Sequence, residues 1–124
     1  MAQERILVVD GDIGLLSMLK ANLEAKGYLV DVAYNGFYAI DILESKWVDL
    51  IVSSIGLQGG ISGYRLFKEI KTRKRLSSIP IVMHSNKAAM KGTFEAMGVD
   101  AFFVKPYSME EFLAKIKEII EKHE

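Results

Sequence analysis

Four polar side chains stand at the ends of apolar runs, and their types and spacing are where chemistry would come from. Asp10 follows Ile6-Leu7-Val8-Val9. Ser54 follows Leu50-Ile51-Val52-Ser53. Ser85 follows Ile81-Val82-Met83-His84. Lys105 follows Ala101-Phe102-Phe103-Val104 and precedes Pro106. Ser54 opens a glycine-rich loop, Gly56 to Gly63, and stands where a reactive side chain is expected. That position carries a hydroxyl and no carboxylate. A serine hydroxyl is a poor nucleophile without an adjacent general base. The nearest candidate base is His84, but a histidine inside an apolar run reads as a packed or surface-facing strand residue. Asp10 is the alternative base, and no triad geometry can be read from the sequence.

The elements that must position these residues follow from the same runs. An apolar run bounded by turn signals reads as a strand buried on both faces, as in a parallel sheet. In an open parallel sheet, ligands and chemistry sit outside the carboxyl ends of the strands. Strands are expected at 6–9, 28–33, 50–54, 81–84 and 101–104. Between them, Leu15, Leu16, Leu19 and Leu23 have helical spacing, with Asp12 as N-cap and Gly27 as the glycine beyond the C-terminus. Asn35-Gly36 reads as a turn. Ala39, Ile40 and Leu43 mark a second helix, and Leu66, Phe67 and Ile70 a third. A fourth is expected over 87–97, with Met90, Phe94 and Met97 toward the sheet and Gly92 costing roughly 1 kcal/mol relative to alanine. Ser108-Met109-Glu110-Glu111 is a capping-box pattern opening a last helix with Phe112, Ile116, Ile119 and Ile120 inward. The basic run Lys71 to Arg75 reads as a solvated helix end in preference to a phosphate site. Strand and helix alternate five times, which argues an α/β domain with right-handed crossovers.

Composition narrows the classes. The 124 residues fit one domain, expected to span 1–124, and half of them are hydrophobic. Lys plus Arg and Asp plus Glu balance at 16 each, which gives no hint of nucleic acid or a charged membrane surface. There is no cysteine, so thiol catalysis, disulfides and cysteine zinc sites are excluded. No apolar run approaches the ~20 residues of a membrane helix. Met1 to Arg5 leads directly toward a strand and lacks a signal peptide's apolar region. The expectation is a soluble cytoplasmic domain, a monomer or weak dimer.

In order and context these segments resemble the receiver domain of two-component response regulators. The resemblance rests on Ile6 to Asp10, Asp49 to Val52, Gly59-Gly60-Ile61-Ser62-Gly63, Pro80 to Met83, Met97-Gly98-Val99-Asp100 and Phe103-Val104-Lys105-Pro106, and it spans the chain. It implies a flavodoxin-like three-layer (βα)5 domain with strand order 2-1-3-4-5. It also implies a sheet-end aspartate that accepts phosphate from a phosphohistidine, and two acids after the first strand that help hold magnesium. A hydroxyl after the fourth strand and a lysine before a proline, often in a cis peptide, contact the phosphoryl group. Asp10 matches the first acid, Ser85 the hydroxyl, and Lys105-Pro106 the last pair.

Two positions depart from that pattern. Gly11 stands in place of the second acid and Ser54 in place of the nucleophile; taking Ser53 instead still offers no carboxylate. Magnesium wants octahedral oxygen ligands, largely carboxylates, so with Asp10 as the remaining candidate ligand its binding is expected to be weak or lost. Asp12 reads better as a helix cap than as a substitute. Lys105 is expected to pair with Asp10 in preference to an anion. Phe102 lies where the family often has a switching aromatic, and reads here as an inward, packed ring. Ser85, Phe102 and Pro106 are the switch or interface candidates.

The resulting expectation is a non-enzymatic pseudo-receiver that works by protein–protein recognition through the last two helices and fifth strand. Its partners would be a histidine kinase, an output domain or another signalling protein, with no nucleic acid or membrane bound by this domain alone. The alternative is a phosphotransfer acceptor that uses Ser54 or a nearby residue. A nucleotide- or flavin-binding reading is poorer, because no glycine-rich phosphate motif follows the first strand.

Overall fold

The apolar runs become five parallel strands in the order β2-β1-β3-β4-β5 in the computed structural model, which describes residues 3–123. The chain alternates β1 (Arg5–Val9), α1 (Ile13–Ala25), β2 (Leu29–Ala33), α2 (Gly36–Ser45), β3 (Leu50–Ser54), α3 (Gly63–Thr72), β4 (Ile81–Ser85), α4 (Lys91–Ala96), β5 (Ala101–Val104) and α5 (Met109–Lys122). This is the expected (βα)5 architecture and strand order. Met1, Ala2 and Glu124, which the expected 1–124 domain includes, lie outside the described residues.

Successive strand side chains point to opposite faces, and both faces are covered. Leu7, Val9, Ile51, Ile81 and Met83 pack with Ala39, Leu43, Leu66, Phe67, Ile70 and Phe94 from α2, α3 and α4. Ile6, Val8, Leu50, Val52 and Val82 pack with Leu16, Leu19, Leu23, Phe112 and Ile116 from α1 and α5. That double cover explains why β3 and β4 are buried throughout.

The helix ends follow their capping chemistry. Asp12 and Ser108 accept from Leu15 N–H and Glu111 N–H respectively. After α1, Gly27 takes φ 96° and the Gly27 and Tyr28 amides return to the Glu24 and Leu23 carbonyls, a Schellman ending.

Two local expectations need correction, and a third gains detail. Asn35-Gly36 is not a free turn: Asn35 caps α2 by accepting from Tyr38 N–H, and Gly36 lies against Ile61, where a Cβ would come within 2.8 Å. The helix expected over 87–97 breaks into a short 3-10 turn, Ala88–Met90, and a six-residue α4, neither with a side-chain cap. A glycine and two uncapped starts leave that segment little local support. The basic run stays at the surface as expected, and two of its side chains are also tied down. Arg73 pairs with Glu44 and Glu69, and Arg75 donates to the Leu43 carbonyl, which ties α3 to α2.

Candidate functional site

Side-chain parity places three polar residues on one face. Val8, Val52 and Val82 all point toward α1 and α5. Two residues on, Asp10, Ser54 and His84 return to that side, and Ser54 and His84 are direct neighbours in register. At this carboxyl edge a cleft of about 310 Å³ is lined by Asp10, Gly11, Asp12, Ser54, Ser85 and Lys105, together with Gly56, Gln58, Asn86 and Lys87. A larger groove of about 800 Å³ lies between α1 and α5. None of its polar side chains is buried, whereas Asp10, Ser54 and Ser85 in the cleft are. The concentration of desolvated polar groups marks the smaller cleft as the candidate site.

Asp10 is the centre of the cleft. Its Oδ1 accepts from the Asp12 amide at 2.8 Å, which closes the turn after β1. Its Oδ2 accepts from Lys105 Nζ at 2.7 Å. His84 Nε2 approaches the same oxygen at 2.9 Å. That approach lies off the ring N–H direction, so Nε2 has no well-aligned hydrogen-bond partner among the described residues. Across the ring, His84 Nδ1 is 2.7 Å from the Tyr107 hydroxyl. A carboxylate offers only lone pairs, so the neutral ring carries its proton on Nε2 and Tyr107 donates to Nδ1.

The electrostatics follow from burial and these contacts. Burial alone would push the Asp10 carboxyl up, but His84, Lys105 and the Asp12 amide reverse this and hold it far below the usual carboxylate range. His84 is pushed down, first by burial and further by the Lys105 charge, against the opposing pull of Asp10. Tyr107 is pushed up by burial and by the Asp10 charge. At neutral pH the cluster is therefore an ionised aspartate, a neutral imidazole and a neutral phenol gathered beside Lys105.

The remaining expected site residues are placed as follows. Ser54 is buried on the cleft wall, in a frame set by α3: a Cβ on Gly63 would overlap the Ser54 carbonyl oxygen and come within 2.7 Å of Ile55 Cα. Ser85 Oγ accepts from the Lys87 amide, and its carbonyl accepts from the Lys105 amide at 2.8 Å. Phe102 is buried against Phe94, ring centroids 6.0 Å apart, on the opposite face from Asp10. The Lys105-Pro106 peptide is cis. Gly11 is exposed, with open space around the position of a Cβ.

His84 is a packed strand residue, as its place in an apolar run suggests, but its polar neighbours were not foreseen, and Tyr107 was missed altogether. Period-two counting from Val82 would have put His84 beside Asp10 and Ser54. Tyr107 carries no signal beyond its place after Lys105-Pro106.

The donor set does not fit magnesium. Gly11 has no side-chain oxygen, Ser54 brings a neutral one, Asp10 Oδ2 is engaged by Lys105, and Asp12 Oδ1 caps α1. Among the described residues, no three His, Asp or Glu side chains gather as a metal would need.

Comparisons with known proteins agree with the architecture. The family model of the response regulator receiver domain matches residues 6–117. The chain is 30% identical over 120 residues to the phosphate regulon transcriptional regulatory protein PhoB of Rhizobium meliloti, covering 95% of this chain and 52% of that protein. It is likewise 30% identical over 121 residues to the alkaline phosphatase synthesis transcriptional regulatory protein PhoP of Bacillus subtilis, covering 98% and 50%. The chain thus spans about half the length of these curated relatives. The structure of response regulator protein TrrA from Thermotoga maritima, solved in complex with Mg(2+)-BeF, superposes with a TM-score of 0.84 at 29% identity, covering 94% of this chain and 99% of that one.

Proposed function

This chain belongs to the response regulator receiver domain family, and from that premise we propose that it is a signalling module of a two-component or phosphorelay pathway that acts by protein recognition without phosphorylation at aspartate. The observation that carries this reading is the content of the cleft. A serine hydroxyl stands on the wall at 54, glycine stands in place of the second acid, and Asp10, the one buried acid among the described residues, is paired with Lys105. The partners would be a histidine kinase, an output domain or another signalling protein, met through α4, β5 and α5. The domain would act as a single unit over 1–124, without enzymatic turnover, and without binding nucleic acid or membrane by itself. Among the described residues no helix is long and apolar enough to cross a membrane.

Phosphotransfer to Ser54 has little to support it. Its candidate base, His84, faces Asp10 with one nitrogen and Tyr107 with the other, so neither is free to take the serine proton.

The test is incubation with a small phosphodonor and magnesium, read by intact mass. The natural chain is expected to stay unmodified, Ser54→Asp to gain little, and Gly11→Asp with Ser54→Asp to gain one phosphoryl group. Gly11 has the space for the added side chain. Labelling of the natural chain on Ser54 would overturn the proposal.

A further inference from the structure

The segment from Lys105 to Ser108, between β5 and α5, is fastened to the cleft twice, and both fastenings end on one oxygen. Lys105 Nζ reaches Asp10 Oδ2 directly at 2.7 Å. Tyr107 reaches it through His84: its hydroxyl is hydrogen-bonded to Nδ1 at 2.7 Å, and Nε2 lies 2.9 Å from Oδ2 as a close electrostatic contact rather than an aligned hydrogen bond. His84 is fully buried, so no water competes for either nitrogen. The Tyr107 ring stacks on Phe112 at 5.1 Å and lies 5.2 Å from Phe103, which connects the hydroxyl to the first turn of α5. The other carboxylate oxygen of Asp10 holds the turn into α1 through the Asp12 amide.

We infer that Asp10 is the anchor of a latch, a carboxylate that joins the start of α1 to the start of α5 through Lys105 on one arm and His84 and Tyr107 on the other. His84 and Tyr107 are positioning residues in this arrangement. The latch lies on the α1–α5 side of the sheet, whereas Phe102 packs on the other side and has no hydroxyl with which to join it. What happens to Asp10 in the cleft is therefore felt at the N-terminal ends of α1 and α5. The inference goes beyond the signalling proposal and stands without it, because it concerns contacts within the chain.

Amide hydrogen exchange on the whole chain tests it. Asp10→Asn is expected to speed exchange across 107–113 about tenfold or more, the scale of a lost charge-assisted hydrogen bond, while β2 and α2 keep their protection. Tyr107→Phe removes one hydroxyl and should speed the same amides to a smaller extent. The double variant should exchange no faster than Asp10→Asn alone, since both arms end on one oxygen. Lys105→Arg, which keeps a charged donor, should stay close to the natural chain. Additive effects of the two variants, a uniform rise over the whole domain, or unchanged 107–113 amides in Tyr107→Phe would each overturn the latch. If Asp10→Asn does not fold, Tyr107→Phe decides the question alone.

Discussion

Asp10 is a carboxylate with 4% of its surface exposed that stays ionised because Lys105 and the Asp12 amide donate to it and His84 lies against it. His84 beside it stays neutral because burial and Lys105 both oppose a second positive charge. The two residues set how stability responds to acid. In the unfolded chain a histidine takes up a proton below about pH 6.5, while His84 in the fold resists doing so. Below that pH the unfolded state binds more protons, so stability is full above about 6.5 and falls as pH drops from there toward the lower folded value. Thermal melts between pH 5 and 7.5 should show this loss, and it should be reduced in His84→Gln. An identical slope in that variant would mean that other groups set the pH response. The residues of this network were unevenly legible. Asp10, Ser54, Ser85 and Lys105 announce themselves as polar groups at the ends of apolar runs. His84 lies inside its run, so burial suggested packing, and only the tertiary pairing with Asp10 and Tyr107 gives it a polar role.

At the scale of the element, α3 decides where Ser54 sits. Gly63 opens that helix in contact with the Ser54 carbonyl, and its own amide donates to the Ile55 carbonyl at 2.7 Å. A methyl group there meets backbone, which cannot rotate aside. Gly63→Ala is therefore expected to cost at least about 2 kcal/mol, in the range of overpacked sites, and to shift the Ser54 and Ile55 amide resonances. A melt within about 0.5 kcal/mol of the natural chain, with those resonances unmoved, would show that α3 does not set this frame. The sequence shows Gly63 in a glycine-rich loop but not which glycine is indispensable, because close approach is a property of two segments together. The same distinction separates the elements read correctly from those corrected. Long stripes such as Leu16, Leu19 and Leu23 specify their helix locally, as does the Ser108 cap. The 87–97 segment had a stripe but no cap, and it divided.

Over the whole molecule, the cleft at the sheet end has Asp10 as the buried acid among the described residues, with Gly11 and Ser54 beside it. Two like charges about 4 Å apart repel by about 4 kcal/mol at an effective dielectric near 20. Lys105 and partial exposure would reduce that to about 1–2 kcal/mol for acids introduced at 11 and 54. The natural domain should therefore melt at the same temperature with or without millimolar magnesium. The Gly11→Asp and Ser54→Asp pair should melt lower without the ion and recover with it, because a ligand that binds only the folded state shifts unfolding by mass action. A magnesium-dependent melt of the natural chain would show that Asp10 and Asp12 suffice as ligands. The fold itself was legible because five apolar runs and five helical stripes alternate. What the runs could not show was which side chains meet across the strand ends, and that is a matter of register. The cradle around position 54 is built from main chain, with Gly63 against the Ser54 carbonyl and Ile55 Cα. A side chain at 54 can therefore be exchanged while the main chain that holds it keeps its place, so what this position can react with is decided by one side chain and not by the fold.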